Sequence, residues 1–210
     1  MDLSRPRRSL LAVARTLAVA LLFLLTLAAR TAAADTLVIK RPGAHPNYDF
    51  EAEPHALLGF IDPPGPGHGN GFGFGFRGTF ELVDNGFVET INNTIGIGFG
   101  ADYVHYSLGR SRCVEALPGQ PCVREGDEYA VENLWFPIVM QWNFFLSRNW
   151  SVFGEPGGAI RYESSEGDDS ELKIEPLQMY VGGRYHFAEA MTLTMRLGYP
   201  TFSVGLSFLL

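Results

Sequence analysis

Apolar residues alternate with small or polar ones through most of the chain after residue 70. From Asn70 to Phe80 the sequence reads NGFGFGFRGTF. Phe72, Phe74, Phe76, Gly78, Phe80 and Leu82 fall on one face, and Gly71, Gly73, Gly75, Arg77, Thr79 and Glu81 on the other. Ile95, Ile97, Phe99, Ala101 and Tyr103 then alternate with Gly96, Gly98, Gly100 and Asp102. Leu177, Met179, Val181, Tyr185 and Phe187 alternate with Gln178, Tyr180, Gly182, Arg184 and His186. Leu193, Met195 and Leu197 alternate with Thr192, Thr194 and Arg196, and Phe202, Val204, Leu206 and Phe208 with Ser203, Gly205 and Ser207. A period of two marks strands whose two faces meet unlike surroundings. The spacing predicts eight strands, near 54–61, 71–83, 94–106, 132–146, 150–163, 172–187, 191–198 and 201–210. Residues 35–53, which include VIKRPGAHPNYDF, read as a tail or an extra strand.

The connectors alternate too. Those after strands 2, 4 and 6 are DNGFVETINN, SRN and AEA, whereas those after strands 1, 3 and 5 are mostly longer and more polar. An even number of antiparallel strands, with turns at one end and loops at the other, predicts an all-β, eight-stranded, up-and-down transmembrane β-barrel over residues 54–210. In lipid the apolar face turns outward, and closure pairs every backbone N–H and C=O. The glycines then point into a lumen with little room for side chains. Arg77, Glu81, Asp102, Gln141, Asn143, Glu155, Arg161, Arg184, His186 and Arg196 fall on the inward face. Unpaired charge would be costly in so dry a space, so these residues are expected to form a paired network that leaves no open pore. Trp142, Phe144, Trp150, Tyr185 and Phe187 near the turns, and Tyr103, Phe136, Tyr162 and Tyr199 near the loops, read as interfacial girdles. Pro137, Pro156 and Pro176 interrupt the strands; the mid-strand Pro156 of GEPGG predicts a bulge or kink. Strand 4, LWFPIVMQWNFFL, is apolar on both faces and does not tell inside from outside.

The N-terminus changes the compartment. Arg5, Arg7 and Arg8 precede the apolar run TLAVALLFLLTLAA, and AAAD follows, with small residues at Ala32 and Ala34. That layout is a secretory signal over residues 1–34. The apolar run of about 14 residues is short of the roughly 20 that a spanning helix needs. An uncleaved anchor and, from RRSLL, twin-arginine export are the alternatives. Five of the 16 basic residues and one of the 23 acidic residues precede Asp35, which leaves 11 against 22 and a net charge of −11. Nucleic acid is a poor partner for such a chain. Cys113 and Cys122 lie in the polar stretch RSRCVEALPGQPCVREGDE, and export makes them a disulfide pair. Closing so short a loop contributes roughly 2–3 kcal/mol.

Candidate chemistry is thin. The glycine runs at 71–75 and 96–100 lack the following helix that a phosphate loop requires. His186 with Ser151 or Ser203 and Glu155 could be imagined as a hydrolytic set, but a lumen hydrogen bond explains His186 better. EGDDSE, from Glu166 to Glu171, lacks the ordered spacing of a calcium loop and reads as a solvated surface loop. No catalytic residue, cofactor site or metal site is assigned. The signal segment, the eight amphipathic strands and the final TFSVGLSFLL resemble the OmpA/OmpX-type small outer-membrane barrels, and more closely the outer-membrane β-barrel proteins of myxobacterial-type genomes. That resemblance spans roughly Pro54 to Leu210. It implies Sec export, insertion by the barrel-assembly machinery, the outer membrane of a Gram-negative bacterium, and contact with outer-membrane lipid and lipopolysaccharide. Those barrels usually end in an aromatic residue; this chain ends in Leu210, with Phe208 two positions earlier. No counterpart of the family's peptidoglycan-binding domain is expected.

Three functions follow: a non-enzymatic barrel with a structural or surface-interaction role and a disulfide-bearing external loop, a soluble periplasmic barrel binding a hydrophobic ligand, and a lipid A-modifying enzyme. The protein isolated from the envelope should resist alkylation at Cys113 and Cys122 until a reductant is added. Peptide mass spectrometry checks this, and immediate labelling at both positions would remove the bridge.

Overall fold

The computed structural model describes residues 37–60, 68–114, 123–165 and 170–210, without the side chains of His68, 110–114, 123–125 and 127. The signal segment, the Cys113–Cys122 bridge and most of the EGDDSE loop lie outside the described residues. Eight strands are present: β1 (Phe50–Gly59), β2 (His68–Val83), β3 (Asn93–Val114), β4 (Val123–Phe145), β5 (Trp150–Ser165), β6 (Glu171–Ala188), β7 (Met191–Gly198) and β8 (Thr201–Leu209). Each pairs antiparallel with its neighbours in chain order, and β8 pairs with β1, which closes the barrel.

Two boundaries differ from the expected ones. β1 begins at Phe50 rather than at residue 54, so part of the supposed tail belongs to the barrel. Residues 51–59 pair with β2 and, apart from Glu53 and Pro54, with β8, and pairing on two sides overrides a weak apolar signal. β3 and β4 continue to Val114 and from Val123, so much of the polar cysteine-bearing stretch is strand. Their rungs run without a gap from Asp102–Trp135 to Val114–Val123. Such a hairpin satisfies its backbone internally and needs no apolar face.

The prolines mark the faults in the ladder. Opposite Pro137 the β3–β4 rungs lapse between Phe99–Ile138 and Asp102–Trp135. Pro156 itself pairs in register with Met179. The β5–β6 register shifts one rung later, between Gly157 and Ala159, where Pro176 and Leu177 of β6 lie opposite the single residue Gly158. The extra residue therefore sits on β6, two strand positions from the place the sequence pointed to. Pro54, inside β1, was not among the expected interruptions; the β1–β8 rungs skip from Ala52–Phe208 to His55–Gly205 around it.

The inward glycines make room for rings. A Cβ at Gly71 would strike Tyr106 and Val104, one at Gly182 would strike Phe153, and one at Gly198 would strike Tyr180. Tyr106, Phe153 and Tyr180 are buried inside the barrel. Above the barrel's middle, Leu57, Val104, Tyr106, Leu108 and Val131 form an apolar cluster against Tyr129. The lumen therefore has an apolar layer beneath the loops as well as the charged layer the sequence suggested. Strand 4 is resolved by placement: Trp135, Val139 and Phe145 face in, while Phe136 and Ile138 face out.

At the opposite end residues 37–49 lie across the barrel. Leu37 bridges to Ser147, Val38 N donates to Leu146 O at 3.0 Å, Asn92 N donates to Ile39 O at 2.7 Å, and Asp49 N donates to Leu210 O at 2.9 Å. Val38 and Tyr48 of this segment are buried.

The closing seam yields a test. A Cβ at Gly205 would come within 2.7 Å of His55 Cβ and of the Pro54 carbonyl, whereas one at Gly154 meets nothing within 4 Å. Gly205→Ala should destabilise by about 1–3 kcal/mol through overpacking, and Gly154→Ala by less than about 0.5 kcal/mol. Denaturant unfolding of the folded barrel, followed by circular dichroism, distinguishes them.

Candidate functional site

The middle of the barrel holds a network of ionised side chains from six strands. Its centre is Arg196 of β7. The guanidinium makes two hydrogen bonds to Glu53 of β1, Nη1 to Oε1 at 2.7 Å and Nη2 to Oε2 at 2.9 Å. It also reaches Glu155 of β5, with Nε to Oε2 at 2.9 Å. Arg184 of β6 forks onto Glu51, with Nε and Nη2 at 3.1 and 2.8 Å, and donates through Nη1 to Asn143 Oδ1 at 2.6 Å. Arg77 of β2 donates to Asp102 of β3 at 3.1 Å and faces Glu155 at 3.8 Å. His55 lies between Asp102 at 2.9 Å and Glu53 at 3.4 Å. Gln141 donates to Glu155 at 2.8 Å, and Asn143 donates to Gln141 at 3.2 Å and to Thr94 at 3.1 Å.

Each of these placements follows from strand alternation, since residues two apart point the same way. Glu51, Glu53, His55 and Leu57 share the inner face of β1, as do Gln141, Asn143 and Phe145 of β4. The forked arginine–carboxylate pairs fix angles as well as distances. Rings support the guanidinium planes: Arg184 lies 4.2 Å and Arg196 5.2 Å from the Phe153 centroid, and Arg77 lies 5.3 Å from that of Tyr180. These contacts come from positions the alternation had marked only as inward.

The ten residues singled out in the sequence do not all meet. Arg77, Asp102, Gln141, Asn143, Glu155, Arg184 and Arg196 are in the network. Glu81 stands at its edge, in contact with Thr94 and Tyr48 near the short turns. Arg161 stands apart toward the loops, 5.0 Å over the Trp135 ring and paired with Glu163 and Glu175 at 3.6 and 3.4 Å. His186 lies near the turns, where Nε2 and Ser151 Oγ are 2.9 Å apart. Glu155 of the imagined hydrolytic set is bound to Arg196 and Gln141, and Ser151 is fully buried. The sequence reading missed Glu51, Glu53 and His55, which supply half of the network's acids and its imidazole. Their signal was present in FEAEPHALLG, where Glu51, Glu53 and His55 alternate with Phe50, Ala52, Pro54 and Ala56; assigning residues up to 53 to a tail hid it.

Outside, the pattern is reversed. Phe72, Phe74, Leu82, Ile138, Met179 and Leu177 are exposed, Phe74 at 67% and Leu177 at 82%. Arg77, Arg184 and Arg196 are no more than 2% exposed. The chain is an inside-out, eight-stranded barrel.

No protein-family model matches the chain, and no curated protein matches it. Among solved structures it is similar to Ail, the attachment invasion locus protein of Yersinia pestis, whose crystal structure was determined in complex with the heparin analogue sucrose octasulfate. The identity is 13%, the match covers 76% of this chain and 94% of Ail, and the TM-score is 0.39. The barrel described above rests on this chain's own strand pairing and not on that likeness.

Removing one partner of a buried pair leaves an uncompensated charge, which costs about 3–5 kcal/mol. Arg184→Ala should therefore lose stability on that scale by stranding Glu51, whereas Val181→Leu on the outer face should change it by less than about 1.5 kcal/mol. Equal shifts in parallel unfolding titrations would contradict the inward assignment of Arg184.

Proposed function

We propose that this protein is a small integral outer-membrane β-barrel of a Gram-negative bacterium, non-enzymatic, with a structural or surface-interaction role. The observation that carries the reading is the inversion of faces: bulky apolar side chains cover the outside while paired arginines and glutamates fill the middle. Water disfavours so large an exposed apolar surface, and hydrocarbon favours it. A soluble barrel binding a hydrophobic ligand would need Phe72, Phe74 and Phe76 inside, and they face out.

The strand lengths fit the same surroundings. β1, β7 and β8 have 10, 8 and 9 residues, near the roughly 9–11 that a tilted strand needs to span a bilayer. Outward rings gather by the short turns, with Trp142 4.6 Å from Phe144 and Trp150 5.0 Å from Tyr185. Such rings suit the headgroup level. Lipid and lipopolysaccharide are then the constant partners, and the barrel-assembly machinery is a transient one. With its middle filled by paired side chains, the barrel serves as a plugged scaffold and not as a channel.

The surface role rests on the uneven rim. β3 and β4 have 22 and 23 residues, more than twice the 8 and 9 of β7 and β8. The surplus forms a hairpin that rises past the barrel toward Cys113 and Cys122, and the proposed disulfide would staple its tip. That hairpin is the recognition surface in this reading.

The test is localisation and form. The mature protein should fractionate with outer membranes, require detergent for extraction, and migrate faster on gels before boiling than after. Protease added to intact cells should cut within residues 108–130 and spare the barrel, and planar bilayers containing the protein should show no steady conductance. A monomeric folded protein in plain buffer would overturn the reading.

A further inference from the structure

One cluster lies outside the lumen network and is left unused by the proposed role. His45, in the segment that crosses the turn end of the barrel, meets Glu81 and Asp84 at the end of β2; one ligand atom from each lies within 4.8 Å of the others. His45 Nε2 is 3.5 Å from Asp84 Oδ1 and 3.1 Å from the Asp84 carbonyl oxygen. Its ring is held in place, stacked on Phe145 at 4.9 Å and 23°, with the side chain 2% exposed. Nδ1 lies 3.2 Å from the Pro46 carbonyl. In the tautomer that donates from Nδ1 to the Pro46 carbonyl, the imidazole is oriented as metal-binding histidines are, and its Nε2 lone pair is available to the site.

Glu81 supplies an independent sign. Its Oε2 is buried without a hydrogen-bond partner among the described residues. A buried carboxylate oxygen without a donor is costly. In this cluster an imidazole nitrogen and two carboxylates bring electron-rich atoms within 4.8 Å of one another. A cation there would satisfy them together.

We propose that His45, Glu81 and Asp84 bind a divalent first-row transition metal of the zinc class, which latches residues 37–49 across the end of the barrel. The donor set selects the metal: imidazole suits zinc-class ions, whereas magnesium and calcium take oxygen ligands. One nitrogen and two carboxylates make a three-ligand site with a position open to water. In a tetrahedral site, metal–ligand bonds of about 2.1 Å place ligand atoms about 3.4 Å apart, so a cluster whose ligand atoms lie within 4.8 Å of one another must tighten by up to about 1.4 Å. Asp84, 77% exposed, is free to swing inward for this. The ligands join two separate parts of the chain, since His45 comes from the crossing segment and Glu81 and Asp84 from β2 and its connector. Binding would therefore fasten the segment that buries its own Val38 and Tyr48 and stacks His45 on Phe145.

The experiment uses the mature chain, folded in detergent micelles and stripped of metal with a chelator. Zn²⁺ is titrated by calorimetry and Co²⁺ by its visible ligand-field bands. One equivalent should bind. Asp84→Asn and Glu81→Gln, which keep the side-chain shapes, should each weaken it by more than about tenfold, the least expected even for loss of an outer partner. His105→Gln, at the unrelated exposed pair with Glu132, should leave it unchanged. Zn²⁺ should also slow tryptic cleavage at the exposed Lys40 and Arg41 in the native chain but not in Asp84→Asn. No saturable binding would reduce the cluster to an ion pair, and binding indifferent to Asp84 and Glu81 would place the metal elsewhere; either overturns the proposal. Because the readout is binding to a folded barrel, its failure leaves the membrane assignment standing.

Discussion

Arg196 is the pivot of the interior. It ties Glu53 of β1 to Glu155 of β5 from its own place on β7, so three strands that are not all neighbours are fixed to one planar group. Arg184 ties β6 to β1 and β4 in the same manner, and Arg77 and His55 join β2 and β3 to the set. A barrel with a greasy exterior cannot fold around a greasy core in lipid, because no solvent difference separates the two sides. Paired charge in a dry interior supplies that difference. It also sets register, since a strand slipped by one residue would turn its guanidinium onto the apolar outer face.

The glycines and the rings are two halves of one arrangement. Side chains as large as Tyr106, Phe153 and Tyr180 enter the barrel only where the facing strand has none. NGFGFGF thus records two demands at once: bulky rings for the outside, and within an empty position at Gly71 for Tyr106 of β3, just as Gly182 and Gly198 leave room for Phe153 and Tyr180 beside the arginines. The apolar layer of Leu57, Val104, Tyr106, Leu108 and Val131 lies over this on the loop side, and residues 37–49 cover the turn side. The charged middle is therefore shut off at both ends, which keeps its ion pairs in low dielectric, where they are strongest and where a missing partner is most costly.

Strand number, the inward face and most network members were legible in the chain, because a period of two is a local property and the unlike inner and outer faces impose it on every strand alike. Of the seven network residues from the list of ten, Arg77, Asp102, Arg184 and Arg196 come from strands with clean alternation, whereas Gln141, Asn143 and Glu155 stood out as polar positions within otherwise apolar or glycine-rich strands. Glu51, Glu53 and His55 escaped because β1 is short, carries Pro54 and is rich in alanine on its outer face, so its apolar signal is weak. The extent of the β3–β4 hairpin escaped for a related reason: its upper part is held by mutual pairing and has no greasy face to read.

The sequence by itself determined an eight-stranded, alternating chain with charges on the glycine side, since side-chain direction in a strand depends only on parity. Tertiary structure alone decided which charges meet. Arg184 and Glu51 are separated by 133 residues and Arg196 and Glu53 by 143, and only closure of β8 onto β1 brings them within hydrogen-bond reach. The same holds for the β6 bulge opposite Gly158 and for His45 beside Glu81 and Asp84. Each is a matter of register between strands or of where a crossing segment comes to rest, and no local pattern encodes a distance across the barrel.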